Sequence, residues 1–295
     1  MTRYFPAFFV VLWSTGFIGA RMGMPYAEPA SFLSLRYVIA IVLLGGLVFV
    51  MQATKNPAKW PDWRLAGHSV VVGMFLHGIY LGGVFWAIDH GLSAGISAMI
   101  IGLQPLVVAL FAGLVLGEKV NMRNWLGLLI GVVGLGLVIL PKIEFTGGGV
   151  TPITVMVVVM AMFASTFATI YQKKYATNID VRTGTFWQYV GALIPSLAYA
   201  LMFETFTFQW SGELIFALVW LVLVLSIAGV FMLLMLIRDG SVAKVSALFY
   251  LVPASTAIIA YFLFGETLNL LQLFGMLLCA IGVRFAFAKS EEKLI

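Results

Sequence analysis

Two ionisable residues stand inside apolar runs. Arg36 lies in SLRYVIAIVL and His77 in GMFLHGIYLGG. A charge at such depth is expensive in hydrocarbon and normally faces a cavity or a partner. Arg36 could anchor a carboxylate; the alternative is a long side chain snorkelling to the nearer interface. The His77 imidazole changes charge near neutral pH, so it could carry a coupling proton or hold a polar group of a solute. A plain hydrogen bond inside a helix bundle would also satisfy it. Tyr80 follows three residues later and shares its helical face. His68 and His90 fall near loop ends and are expected to be solvated.

A second set of residues comes in duplicate. Residues 104–119 read QPLVVALFAGLVLGEK and residues 252–267 read VPASTAIIAYFLFGET. Pro105 pairs with Pro253, Gly117 with Gly265 and Glu118 with Glu266, each 148 positions apart. A proline within a helix removes a backbone hydrogen bond and bends the axis. Matched bends would suit gating hinges, with Gln104 beside a freed carbonyl; a static kink is the alternative. Helix C-termini disfavour anions, so Glu118 and Glu266 call for a specific partner, a loop amide or a Lys/Arg, and read as helix-end latches. Trp13, four residues before Phe17, offers an aromatic wall, as do Trp187 and Tyr250, suited to stacking and cation–π contact. Ordinary helix or lipid contact would serve them equally. Trp60, Trp63, Trp125 and Trp210 suit an interfacial belt.

The elements that hold these residues follow from composition. The chain is 62% apolar and 10% charged, against about 25% charged in soluble domains. Its apolar runs are continuous, without the alternation of barrel strands, so the expectation is an all-α integral membrane protein. Ten segments can be drawn, near 4–22, 30–51, 66–87, 92–115, 123–140, 151–171, 183–203, 214–236, 242–263 and 267–287. The N-terminal run reads as the first span, not a cleaved signal. With a cytoplasmic N-terminus, 14 Lys and Arg fall on the cytoplasmic side and 3 on the other, as the positive-inside rule requires. Both termini are then cytoplasmic. The net charge of +5 is scattered between apolar runs and does not indicate nucleic-acid binding. Cys279 is the one cysteine, so no internal disulfide or Cys-based metal set is expected; no cofactor is implied.

Other segments repeat as well. RYVIAIVL (36–43) matches QYVGALIP (188–195), so Gln188 stands where the first half has Arg36. WAIDHG (86–91) matches MLIRDG (235–240), and Ser14-Thr15 matches Ser165-Thr166. Two sets of five spans, residues 1–145 and 146–295, imply a second half inserted upside down, because five is odd. Inverted repeats are a signature of secondary transporters, with the solute site near mid-membrane.

With Trp13-Ser14 in the first span, an arginine early in the second, and Pro…Gly-Glu closing the fourth, the chain resembles the ten-helix drug/metabolite transporter superfamily, specifically its EamA-type exporters. The resemblance implies export of amino acids, including aromatic ones, or related small metabolites from bacterial cells. It also implies a central cavity walled by spans one to four and six to nine, with spans five and ten set apart. The second half departs from it by carrying Ala164 at the tryptophan position. The reading is an exporter in the bacterial inner membrane, driven by alternating access and open to proton coupling. No GxxxxGK[ST] motif supports direct ATP drive. A channel for small polar solutes is the rival. An integral-membrane enzyme would need more clustered acids, histidines or nucleophiles than these spans hold. Gly127, Gly131 and Gly134 share one helix face, as do Gly275 and Gly282. Such faces suit close packing within the chain or between two copies, so the oligomeric state stays open.

Overall fold

In a computed structural model, residues 5–54, 57–116, 122–139, 150–176, 179–229, 232 and 251–287 are described. They are helical almost throughout, and the sole β-type pairing among them is the isolated bridge between Ala27 and Phe208. The helices are α1 (Phe5–Gly23), α2 (Pro29–Gln52), α3 (Trp63–Asp89), α4 in two pieces (Ala94–Gly102 and Gln104–Leu116), α5 (Met122–Ile139), α6 (Pro152–Tyr175), α7 (Val181–Phe203), α8 (Gly212–Gly229), α9 (Val252–Phe264) and α10 (Leu270–Phe287). By length and composition α1, α2, α3, α6, α7 and α8 can each cross a bilayer. The apolar stretches in α4, α5, α9 and α10 are shorter among the described residues. Large apolar side chains such as Leu270 (85% exposed) and Phe262 (78%) face outward, which suits a lipid surround and no aqueous one.

The helix starts are fixed locally. Asp62 caps α3 by accepting from the Leu65 amide at 2.7 Å, Ser211 caps α8, and Thr151 with Thr154 forms a capping box on α6. Two starts use an acid from elsewhere in the chain. Glu204, just past α7, accepts from the Ala30 and Ser31 amides of α2 at 2.9 and 2.7 Å. Glu266, past the left-handed Gly265 that ends α9, accepts from the Ala94 and Gly95 amides of α4 at 3.2 and 3.3 Å. Both place an anion at the positive end of a helix, on amides that lack an intrahelical partner.

Both prolines of the duplicated motif begin a helical piece; neither bends an unbroken helix. Pro105 is the second residue of the second piece of α4, and the break falls at Leu103, whose amide reaches only to the Ile100 carbonyl at 3.2 Å. Pro253 occupies the first turn of α9. A first-turn proline has no intrahelical N–H to lose, so the discontinuity sits just ahead of the ring. The Pro105 break is matched by a close approach: a Cβ on Gly102 would lie 2.6 Å from the Pro253 ring.

Lipid supplies no hydrophobic drive between helices, so small residues set their approach. A Cβ on Gly134 would sit 2.5 Å from the Gly275 carbonyl oxygen, and one on Gly275 would meet the Gly134 oxygen at 2.5 Å. One on Gly282 would meet the Gly127 oxygen at 2.6 Å. The two glycine faces therefore pack on each other within the chain, α5 against α10. A second near-backbone contact joins α3 to α7: a Cβ on Gly73 would collide with the Gln188 carbonyl oxygen, and one on Gly191 with that of Val70.

Candidate functional site

The α3–α7 contact brings His77 to Gln188. His77 Nε2 and Gln188 Oε1 lie 3.4 Å apart, and the imidazole meets the Tyr189 ring at 5.0 Å between centroids. Tyr189 stacks in turn on Tyr37 at 5.7 Å. Both tyrosines are essentially fully buried, at 1% and 0% exposure. Arg36, 6% exposed, does not snorkel. Its Nε and Nη2 donate to Ser226 Oγ of α8 at 3.2 and 3.0 Å. These are its partners among the described residues, and both bonds end on one neutral hydroxyl.

The backbone at this layer is unusual in two places. Met74–Ile79 of α3 and Trp220–Gly229 of α8 are π-helical. A π-segment widens the turn and displaces carbonyls from the regular ladder, which is why such segments recur at functional sites. Here each has a tyrosine attached. Tyr37 donates to the His77 carbonyl at 2.7 Å, and Tyr189 donates to the Ser226 carbonyl at 3.2 Å.

These contacts come in matched pairs. The RYV/QYV match pairs Arg36 with Gln188 and Tyr37 with Tyr189; the offset of WAIDHG to MLIRDG pairs His77 with Ser226. Arg36 of α2 reaches Ser226 across to α8, and its mate Gln188 of α7 reaches His77 across to α3. The tyrosines, also mates, each bond the π-segment of their own half. The geometry is duplicated and the chemistry is not: one cross-contact carries a guanidinium, the other an amide and an imidazole.

The remaining expected residues are spread around this layer. Tyr80 is half-buried against the core one turn beyond His77. Gln104 bonds Thr169 at 3.4 Å, a link between α4 and α6. Trp13 is half-buried and meets Phe9 at 5.3 Å between centroids. Trp187 is half-buried and meets Phe186 edge-on; the aromatic residue of α7 that touches His77 is Tyr189. Tyr250 and Glu118 lie outside the described residues. His68 differs from expectation. It is half-buried, its Nδ1 lies 2.8 Å from the Tyr171 hydroxyl, and it stacks on Tyr175, because α6 runs alongside the start of α3. Tyr37, Tyr189 and Ser226 were not singled out from the sequence, although RYV and QYV carried the signal for both tyrosines. No group of three or more His, Cys, Asp and Glu able to hold a metal occurs among the described residues.

The model of the EamA-like transporter family matches residues 5–140 and again residues 152–288. The chain belongs to the EamA-like transporter family. Similar proteins include the uncharacterized transporter YvbV of Bacillus subtilis (strain 168), 24% identical over 97% of this chain and 92% of that protein. A probable amino-acid metabolite efflux pump of Salmonella typhimurium (strain LT2) is 23% identical over 93% and 90%. A protein of known crystal structure covers 96% of this chain and 95% of its own, at a TM-score of 0.65 and 16% identity. That likeness concerns the fold alone. As an EamA-like transporter the chain is a multi-pass membrane protein.

Proposed function

We propose that this chain is a secondary exporter of amino acids or related small metabolites in the bacterial inner membrane. It works by alternating access between two halves, residues 1–145 and 146–295, inserted in opposite orientation as five spans each, with both termini cytoplasmic. The observation that carries this reading is the paired layer: Arg36–Ser226 and Gln188–His77, flanked by the Tyr37 and Tyr189 contacts to two π-segments. Duplicated contacts joining the two halves across one buried layer are what an inverted-repeat carrier needs, because each half can exchange roles with the other. The twofold match of the family model and the efflux function in the name of the Salmonella relative support it further.

Arg36 anchors the carboxylate of the solute. A guanidinium presents five N–H donors, and the Ser226 contact uses two of them. The stacked tyrosines offer an aromatic wall beside it. His77 carries the coupling proton. The break ahead of Pro105 and the helix start at Pro253 act as hinges, and Glu266, on the amides of Ala94 and Gly95, acts as a latch released when the halves rock. The chemistry is transport and not catalysis.

Counterflow tests the proposal. Purified protein in proteoliposomes, loaded with an unlabelled amino acid, should accumulate the labelled form transiently against its gradient. Simple equilibration at every loading concentration would indicate a channel and reject the carrier.

A further inference from the structure

Arg36 is bound in a way that invites replacement. Burying a guanidinium is costly unless the charge is paired, and the described partner is a single serine hydroxyl. Ser226 itself is 1% exposed and sits in the π-segment of α8, its carbonyl held by Tyr189 at 3.2 Å. It is thus fixed in position by backbone contacts that do not involve Arg36. A carboxylate would serve the guanidinium better, since it carries opposite charge and accepts two parallel N–H bonds. The matched contact makes the contrast plain: there a neutral amide meets an imidazole at 3.4 Å, and no permanent cation needs a counter-charge.

We propose that Ser226 is a specificity-determining residue: its hydroxyl is the resting partner of Arg36, and a ligand carboxylate displaces it. The inference rests on the reading of Arg36 as carboxylate anchor. It adds that residue 226 sets how strongly the site prefers an acid over its neutral analogue. The ligand competes with Ser226, so weakening that competitor tightens acid binding, and replacing it with a built-in anion closes the site to acids.

The test measures binding of L-phenylalanine and L-phenylalaninamide to the full-length protein in detergent by calorimetry. The pair differs at the carboxyl, and the aromatic ring suits the Tyr37–Tyr189 wall. Wild type should prefer the acid, and Arg36→Gln should lose that preference. Ser226→Ala should raise the acid-to-amide ratio about tenfold, the scale of a hydrogen bond to a charged group. Ser226→Asp should lower it by at least the same factor. A merely structural serine would shift both probes together. If wild type prefers the acid through Arg36 but the ratio is the same with Ser or Ala at 226, or falls in the alanine variant, the inference is overturned and the anchor stands. If neither probe binds, or Arg36→Gln leaves the ratio unaltered, the anchor fails and this inference with it. Should the aspartate variant not fold, the alanine variant decides alone.

Discussion

Arg36 and His77 could be picked out of the sequence because hydrocarbon makes isolated polar groups conspicuous; their partners could not, because Ser, Tyr and Gln raise no such alarm. Position 226 reads as an ordinary small residue in an apolar run, and only the α2–α8 approach brings it under a guanidinium. Trp187 attracted attention by size, whereas helical geometry turns Tyr189 toward His77. Two outcomes test the roles of the ionisable pair. Arg36→Gln removes the cation and keeps a neutral donor on a shorter side chain. Transport of acidic or zwitterionic solutes should fall by at least about tenfold, the cost of one charged hydrogen bond, with unchanged thermal stability; unaltered uptake rates in proteoliposomes would reject the anchor. His77→Gln cannot titrate. If His77 is the coupling proton carrier, the variant should transport at a rate independent of pH. A retained pH profile removes His77 from coupling.

At the scale of elements, apolar length and turn residues located most described helix ends to within a few residues, while the expected end of the eighth span (236) and start of the ninth (242) lie outside the described residues; they did not reveal how helices end or meet. The bend expected at Pro105 is a break, because α4 tightens at Leu103 ahead of the ring. The π-segments carry no sequence mark at all. The glycine stripes were visible, and only contact could tell an internal partner from a second copy. Gly134→Ala should destabilise the protein by about 1–3 kcal/mol, as overpacking does, because its Cβ would sit 2.5 Å from a backbone oxygen that has nowhere to go. Gly46→Ala on α2, with no atom within 4 Å, should be neutral or stabilising by up to about 1 kcal/mol. Thermal unfolding of the two variants side by side checks this, and equal melting temperatures would contradict the α5–α10 contact. Acid caps give a pH signature. The Arg182 guanidinium beside Asp180 holds its carboxyl at about 2, well below its ordinary value. A carboxyl depressed in the folded state stabilises at higher pH and loses that contribution as pH falls from about 4 to about 2. Asp180→Asn should therefore flatten the acid limb of the stability curve, by no more than about 1 kcal/mol at such a solvent-screened site.

For the whole molecule the topology turns on α4, α5, α9 and α10, whose apolar stretches are short among the described residues. Contacts between loops bear on it through parity. Glu28, before α2, accepts from the Thr205 and Thr207 amides beyond α7 at 2.9 and 3.3 Å, and the Gln209 amide reaches the Tyr26 carbonyl at 2.8 Å. These two loops share a face, so the helices between them, α2 to α7, make an even number of crossings. Asp180, before α7, accepts from the Lys59 amide at 3.1 Å, and Thr183 donates to the Lys59 carbonyl at 2.8 Å. Those loops share a face too, so α3 to α6 also cross an even number of times. Both intervals contain α4 and α5, which must therefore both cross or both fail to. On the proposed orientation the Lys59 loop faces the cytoplasm and the Thr205 loop the opposite side. Thr205 and Lys59 are both exposed, so single cysteines there can be probed in a variant with Cys279 replaced. Thr205→Cys should react with a membrane-impermeant maleimide in intact spheroplasts, and Lys59→Cys only after permeabilisation. The reverse pattern would invert the orientation while keeping the topology. Reaction of both from one side would mean that α2 to α7 are not arranged as alternating spans, and the opposed halves on which alternating access depends would be lost.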